Sequence, residues 1–295
     1  MPRAVTGIIT TMMTMTTLTE GGLYRLLAWL SPSFPVGAFS YSHGIEAAVE
    51  AGRVRDRASL EAWIATILRH GTGRMDADLF RDAWRAVAAK EDCIVDRASF
   101  ETPAMPAPQD EAILHGISDI PHPEERPTAA SRRTHDDRPS LGELMRIAAR
   151  ADAHRGAAET ALESRAQGEA FLATCRTAWP HPVLDAWSEA LVAEQLPPAY
   201  AVAVGVAAAC AGVPLAAALT AYLHGVAANL VSAGLRLIPL GQTDGQRALR
   251  TLEPVVAECV AAALTRPAED FGACAFAAEL SSIYHETQYT RLFRS

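Results

Sequence analysis

The feature that most limits how this chain folds is the stretch between Glu194 and Arg236, which contains no aspartate, glutamate, lysine or arginine. A run of this length either crosses a membrane, which takes about 20 apolar residues, or is buried in a large helical core. Alanine and glycine dominate the stretch, Pro214 interrupts it, and it contains His224 and Asn229. Because alanine contributes little to membrane insertion, we expect two buried helices of a soluble protein and no membrane span.

The rest of the chain predicts an all-α fold of about ten helices, in one domain over residues 21–281. Alanine is abundant and no segment alternates with the two-residue period of a strand. The clearest amphipathic helix starts after Asp56 as its N-cap and ends at Gly71. Its apolar residues recur at helical spacing and comprise Leu60, Trp63, Ile64, Ile67 and Leu68.

Two segments fall outside this helical pattern. Residues 1–20 hold a threonine-broken apolar run without the hydrophobic segment of a signal peptide, so we expect a disordered leader. Residues 91–140 are rich in proline and mixed charge, which predicts a mobile insertion. The histidines of this insertion lack metal-ligand spacing and are interpreted as solvated loop residues. They are His115, His122 and His135.

Charge and cysteine usage exclude several functions. The net charge of −8 disfavours nucleic-acid binding, which requires a basic face. Lys90 is the only lysine and lies in AAKED, so the chain has no phosphate-binding P-loop. The five cysteines are scattered without a C-x-x-C pair, which favours buried free thiols in a reducing cytoplasm over a zinc or redox site. They are Cys93, Cys175, Cys210, Cys259 and Cys274.

The first distinctive motif is SPSFPVGAFSYSHGIEAAVEAG, residues 31–52. Pro32 and Pro35 stiffen the chain, and Gly37 permits a turn into a helix with Tyr41 facing inward. Gly44 lies where this helix is predicted, and a glycine there indicates that another backbone approaches closely. The motif therefore predicts a rigid turn into a tightly packed helix.

His43 and Glu46 of this motif allow two interpretations. They are three residues apart, so on a helix they share a face and could form a general acid–base pair. Such a pair is weak support for an enzyme, because the chain has no G-x-S-x-G nucleophile motif and no H-E-x-x-H zinc motif. We favour a face displayed outward to a partner protein and keep the helical enzyme as the alternative.

The second motif is LRLIPLGQTDGQRALR, residues 235–250. Gly241 ends one helix, and Thr243 with Gln246 forms a capping box that starts the next. Asp244 lies near the positive end of that helix. The concentration of Gln242 and Asp244 in a tight turn suits a recognition surface.

The third motif is the C-terminal segment SSIYHETQYTRLFRS, residues 281–295. Chain ends are usually polar and frayed, but this one combines aromatic residues with arginine, the composition of an interface anchor. Folding back onto the chain's own core explains the same composition equally well.

In order and position, three stretches resemble signatures of the urease accessory protein F family. They are SPSFPVGAFSYSHGIE, YLHGVAANLVSAGLRLIPLGQTDGQ and HETQYTRLFRS. The resemblance covers residues 21–90 and 141–295 and departs at residues 91–140. It implies an all-helical, cytoplasmic, non-enzymatic chaperone that forms a homodimer. This chaperone joins accessory protein H, named D in many bacteria, to the GTPase accessory protein G. The complex docks on apo-urease and directs nickel into it, with modulation of the GTPase.

The resemblance also implies which residues contact partners. No cofactor is held stably, and nickel is relayed within the complex. Residues 282–295 form a tail for the H/D protein, with Tyr284, His285, Gln288, Tyr289, Arg291, Leu292, Phe293 and Arg294 as contacts. The predicted surface for assembly or the GTPase comprises Phe39, Tyr41, His43, Glu46, Gln242 and Asp244.

Overall fold

A computed structural model describes residues 17–98 and 141–295 and places eleven α-helices and no strand in them. The predicted all-α class is confirmed. The first six helices are α1 (Glu20–Trp29), α2 (Ile45–Glu50), α3 (Arg57–His70), α4 (Thr72–Ala98), α5 (Leu141–Ala153) and α6 (Ala158–Ala178). The others are α7 (Pro182–Ala193), α8 (Tyr200–Cys210), α9 (Leu215–Leu237), α10 (Gln242–Thr265) and α11 (Phe276–His285). Short 3₁₀ turns lie at Ala38–Ser40 and Ala268–Asp270.

The uncharged stretch forms α8 and α9, as predicted. Helix α8 is buried on nearly every side between α4 and α6. Its small side chains allow this, because a Cβ on Gly205 would lie 2.7 Å from the Phe80 carbonyl oxygen. Helix α9 is the one helix of the described residues that is long and apolar enough to cross a membrane, and it packs on α10, α4 and α8.

The helix boundaries confirm some predicted caps and shift others. Asp56 caps α3, with Ser59 N donating to Asp56 Oδ1 at 2.8 Å. Helix α1 begins inside the predicted leader, because Thr19 Oγ1 accepts from Gly22 N. Helix α4 continues to Ala98, so residues 91–98 of the predicted insertion are helical. Residues 1–16 and 99–140, including the three histidines of the insertion, lie outside the described residues.

The predicted capping box of Thr243 and Gln246 is wrong, and so is the predicted role of Gly241, because α9 ends at Leu237 and Gly241 is the N-cap of α10. Helix α10 already begins at Gln242, so Thr243 is its second residue. Asp244 lies at the third position and accepts from Gly241 N at 3.4 Å. Hydrogen bonds from Arg247 and from Gly241 N lower the pKa of Asp244 below its ordinary value.

The predicted burial of the cysteines holds for some of them. Cys175 and Cys259 are buried, and burial raises the pKa of Cys175 to about 12. Cys274 is exposed and Cys210 is half-buried, which corrects the prediction. The side chain of Cys93 lies outside the described part.

Candidate functional site

The tail, defined here as residues 286–295, folds back along the turn that precedes α2. Arg294 N donates to Ser40 O at 2.8 Å. Ser42 donates to Ser295 O from both its N and its Oγ, at 2.6 and 2.5 Å. The first and third sequence motifs therefore form one site, although they lie at opposite ends of the chain.

Glu46 on α2 is the main anchor of the tail. Its Oε1 accepts from Leu292 N at 2.7 Å, and its Oε2 accepts from Phe293 N at 3.0 Å. Its Oε2 also lies 2.9 Å from His285 Nε2. With 7% of its surface exposed, Glu46 is not displayed outward, which corrects the prediction. The tail covers the face of α2 that was predicted to bind a partner protein.

His285, the last residue of α11, is fully buried between two carboxylates. Its Nδ1 lies 2.7 Å from Glu159 Oε2, opposite the contact with Glu46. Carboxylates only accept hydrogen bonds, so this geometry suits an imidazole that donates from both nitrogens. Arg291 Nη1 donates to the other oxygen of Glu159 at 2.8 Å. The cluster thus joins α2, α6, α11 and the tail.

Gly44 allows α11 to approach this cluster. It has φ of 75° just before α2, and a Cβ there would lie 2.7 Å from Ser282 N of α11. The predicted close approach of another backbone is confirmed, although Gly44 lies before the helix rather than inside it.

Gly44→Ala should therefore destabilise the fold more than Gly37→Ala. Both glycines have positive φ, 75° and 69°, so alanine costs about 1–2 kcal/mol at either position. Nothing lies within 4 Å of a Cβ at Gly37, whereas alanine at Gly44 displaces α11. We expect Gly44→Ala to lose about 1–3 kcal/mol more in urea unfolding. Equal losses for the two variants would contradict the close approach.

His43 lies apart from Glu46 and contacts different residues. It precedes α2 with φ of 55°, so the two do not share a helix face. Its Nδ1 lies 3.0 Å from Glu163 Oε2 and its Nε2 lies 2.7 Å from Thr72 Oγ1. The acid–base pair of the enzyme interpretation is therefore not formed, because Glu46 pairs with His285 instead.

His43 and Glu163 line a cavity of about 290 Å³ that opens beside Phe39 and the exposed His224 of α9. Its inner wall carries an ion pair, with Arg155 Nη2 2.6 Å from Asp76 Oδ1. In the described part of the chain, no group of three or more histidine, cysteine, aspartate or glutamate side chains is arranged to hold a metal ion.

The residues predicted to bind the H/D protein divide between two faces. The exposed side chains are Tyr284 at 61%, Tyr289, fully exposed, and Leu292 at 63%. Phe293 faces inward at 4% exposure, with the guanidinium carbon of Arg236 4.2 Å from its ring centroid.

The backbone of the tail and the side chains of His285 and Phe293 thus bind the chain's own core. The other predicted tail contacts are Gln288, partly buried, Arg291 and Arg294, both exposed. The alternative in which the tail folds back onto the core is therefore confirmed, whereas contact of the exposed side chains with a partner protein stays a prediction.

The predicted surface for assembly or the GTPase is also divided. Phe39 and Gln242 are exposed and Asp244 is partly exposed. Tyr41 and Glu46 are buried, so neither belongs to a surface, which corrects the predicted surface and confirms that Tyr41 faces inward. The side chain of His43 is only 14% exposed, so His43 is not displayed outward either.

Sequence reasoning missed Glu159 and Glu163, which lie one turn apart on α6. The sequence does contain a pattern that could have indicated them. Polar residues recur every four positions on α6, which packs on α8, and these are Glu159, Glu163 and Gln167. Polar residues at core-facing spacing indicate a buried polar cluster. Apart from Gln167, which donates to Glu163, the partners of the two glutamates lie more than a hundred residues away, and no local pattern identifies them.

The chain is similar to known proteins over nearly its whole length. A family model described as UreF matches residues 54–253. The urease accessory protein UreF of Rhodopseudomonas palustris strain BisB18 is 44% identical over 274 residues, 92% of this chain and 92% of the relative. The protein of that name from Bradyrhizobium sp. strain BTAi1 is 42% identical over 284 residues, 95% of each chain. The one from Magnetococcus marinus strain MC-1 is 39% identical over 281 residues, 94% of this chain and 99% of the relative.

Proposed function

Because this chain belongs to the UreF family of urease accessory proteins, we propose that it serves urease maturation as a non-enzymatic scaffold. The scaffold joins the H/D accessory protein to the GTPase accessory protein G in the cytoplasm. The assembled complex docks on apo-urease, relays nickel into it and modulates the GTPase.

The observation that best supports a scaffold is the two-sided tail. Its inner face is fixed by Glu46 and Glu159, and its outer face presents Tyr289 and Leu292 next to the exposed Tyr284 of α11. Anchored aromatic and aliphatic side chains lose little conformational freedom on binding, and such side chains are typical of interface centres. The outer face of the tail is the proposed contact with the H/D protein.

An exposed surface on α9, separate from the outer face of the tail, supports a homodimer. Exposed or half-buried residues, four of the five of them small, recur every four positions along α9, which places them on one side of the helix. This α9 stripe comprises Ala216, Thr220, His224, Ala228 and Ser232. It carries no charged residue and lies beside the cavity and the exposed Phe39. Small residues let helix backbones approach closely. A helix that lies beside a cavity suits a two-fold contact, because each copy can place its α9 against the cavity of the other.

The GTPase protein G is proposed to bind the assembled scaffold, with Phe39, Gln242 and Asp244 as the accessible part of the predicted surface. The relay of nickel belongs to the whole complex, and no residue of this chain is assigned to it.

Assembly in vitro tests the scaffold directly. The H/D protein and protein G, mixed with this chain, should elute together from a size-exclusion column as one species. Without this chain the two should elute separately, since the proposal makes it the link between them. A stable complex of the H/D protein and protein G without the chain would refute the scaffold.

A further inference from the structure

His43 adopts a backbone conformation that non-glycine residues avoid. Among the described residues, only His43 and Gln195 combine a side chain with positive φ. A left-handed residue that is not glycine persists where its surroundings hold it firmly, and such residues cluster at functional sites.

The tail supplies much of what holds His43. Ser42, the preceding residue, is fixed by two hydrogen bonds to Ser295 O. Gly44, the following residue, packs directly against Ser282 of α11. The peptide units on both sides of His43 therefore depend on the tail and on the helix that carries it.

The side chain of His43 is linked to the tail as well. Glu163 Oε2 lies 3.0 Å from His43 Nδ1 and also accepts from Ser295 Oγ at 3.2 Å. Gln167 Nε2 donates a hydrogen bond to the other oxygen, Glu163 Oε1, at 3.1 Å. One carboxylate thus connects the tail to the imidazole, and both His43 and Glu163 form part of the cavity wall.

We propose that the docked tail holds His43 in its left-handed conformation and thereby couples the outer face of the tail to the α9 stripe. With the tail released, Ser42 and Glu163 lose Ser295, and His43 relaxes to an ordinary right-handed conformation. Its imidazole then leaves Thr72 and the cavity wall beside α9. The docked tail therefore keeps the cavity wall in one arrangement. A protein bound to the tail then strengthens the association of a second copy of this chain at α9, and that second copy equally strengthens binding at the tail. The coupling to α9 rests on the proposed homodimer, whereas the hold on His43 does not.

Nuclear magnetic resonance of the full chain tests the hold on His43. Deleting residues 292–295 should move the His43 Cα and Cβ shifts from left-handed to right-handed values. The imidazole nitrogen shifts should lose the signature of two hydrogen bonds. Ser295→Ala, which keeps the tail and removes only its hydroxyl, should shift Nδ1 alone. Unchanged His43 shifts in the deletion variant would overturn the proposal.

A double-mutant cycle on the dimer dissociation constant tests the coupling to α9. In the native chain, deleting residues 292–295 should weaken dimerisation about fivefold or more, the usual lower range for coupled sites. In His43→Gly, which adopts positive φ freely and lacks the imidazole, the same deletion should have no effect. Equal fold-changes in the two backgrounds would overturn the coupling. A chain that stays monomeric would overturn the proposed dimer and its coupling to the tail. The chemical shifts of His43 would still decide whether the tail fixes the conformation of His43.

Discussion

Replacing Glu46 with alanine should release the tail and lower the free energy of unfolding by about 3–5 kcal/mol. The Glu46 carboxylate accepts from Leu292 N and Phe293 N and pairs with the fully buried His285. Its removal leaves His285 with only one carboxylate partner and two backbone donors unpaired, and such losses in a buried site cost several kcal/mol. Chemical denaturation followed by circular dichroism measures the change.

Glu50→Ala is the matched control for this variant, because Glu50 lies on the same helix and is exposed. It should change stability by less than about 0.5 kcal/mol. Trypsin gives a second measurement, since the bond after Arg291 lies in the docked tail. Cleavage there should be slow in the native chain and in Glu50→Ala, and fast in Glu46→Ala. Equal cleavage of all three proteins would contradict the role of Glu46 as the anchor.

The double variant Tyr289→Ser, Leu292→Ser should abolish capture of the H/D accessory protein while leaving the tail docked. Both side chains are exposed, and Leu292 contacts Glu46 through its backbone N, which serine retains. Hot-spot contacts contribute about 2 kcal/mol or more each, so losing both should cost about 4 kcal/mol and raise the dissociation constant roughly 700-fold. Isothermal titration calorimetry with the purified H/D protein measures it.

Val192→Ser on α7 is the control, since Val192 is 76% exposed and lies on another helix. It should bind the H/D protein like the native chain, and slow tryptic cleavage after Arg291 should show that the tail of the double variant stays docked. Unchanged affinity of the double variant would contradict the tail as the binding surface. Deleting residues 281–295 is a less specific test, because it also removes Ser282 and His285 from the core.

Local chemistry predicted much of this fold. The amphipathic spacing from Leu60 to Leu68 and the cap at Asp56 identified α3 correctly. The missing charges between Glu194 and Arg236 identified two packed helices. Gly44 indicated a close backbone approach, which α11 supplies. In each case the signal lies within a few residues of the feature that it predicts.

The site itself was only partly predictable. The spacing of His43 and Glu46 suggested one helix face, but His43 has a positive φ and lies before the helix. Its neighbours Ser42 and Gly44 pack against Ser295 and Ser282, which are distant in sequence. Glu46 was predicted to be exposed because the partners of its carboxylate, His285 and the tail backbone, lie more than two hundred residues away. Burial of a polar residue is decided by tertiary partners, and no helical period reveals those partners.

The nickel content of urease measures the central claim most directly. Urease should be co-expressed with the other accessory proteins and with this chain, with the Tyr289→Ser, Leu292→Ser variant, or with neither. Purified urease should be rich in nickel only with the native chain, because the proposed scaffold is what joins the H/D protein to the GTPase. Equal nickel content in urease made with and without this chain would contradict its role in urease maturation.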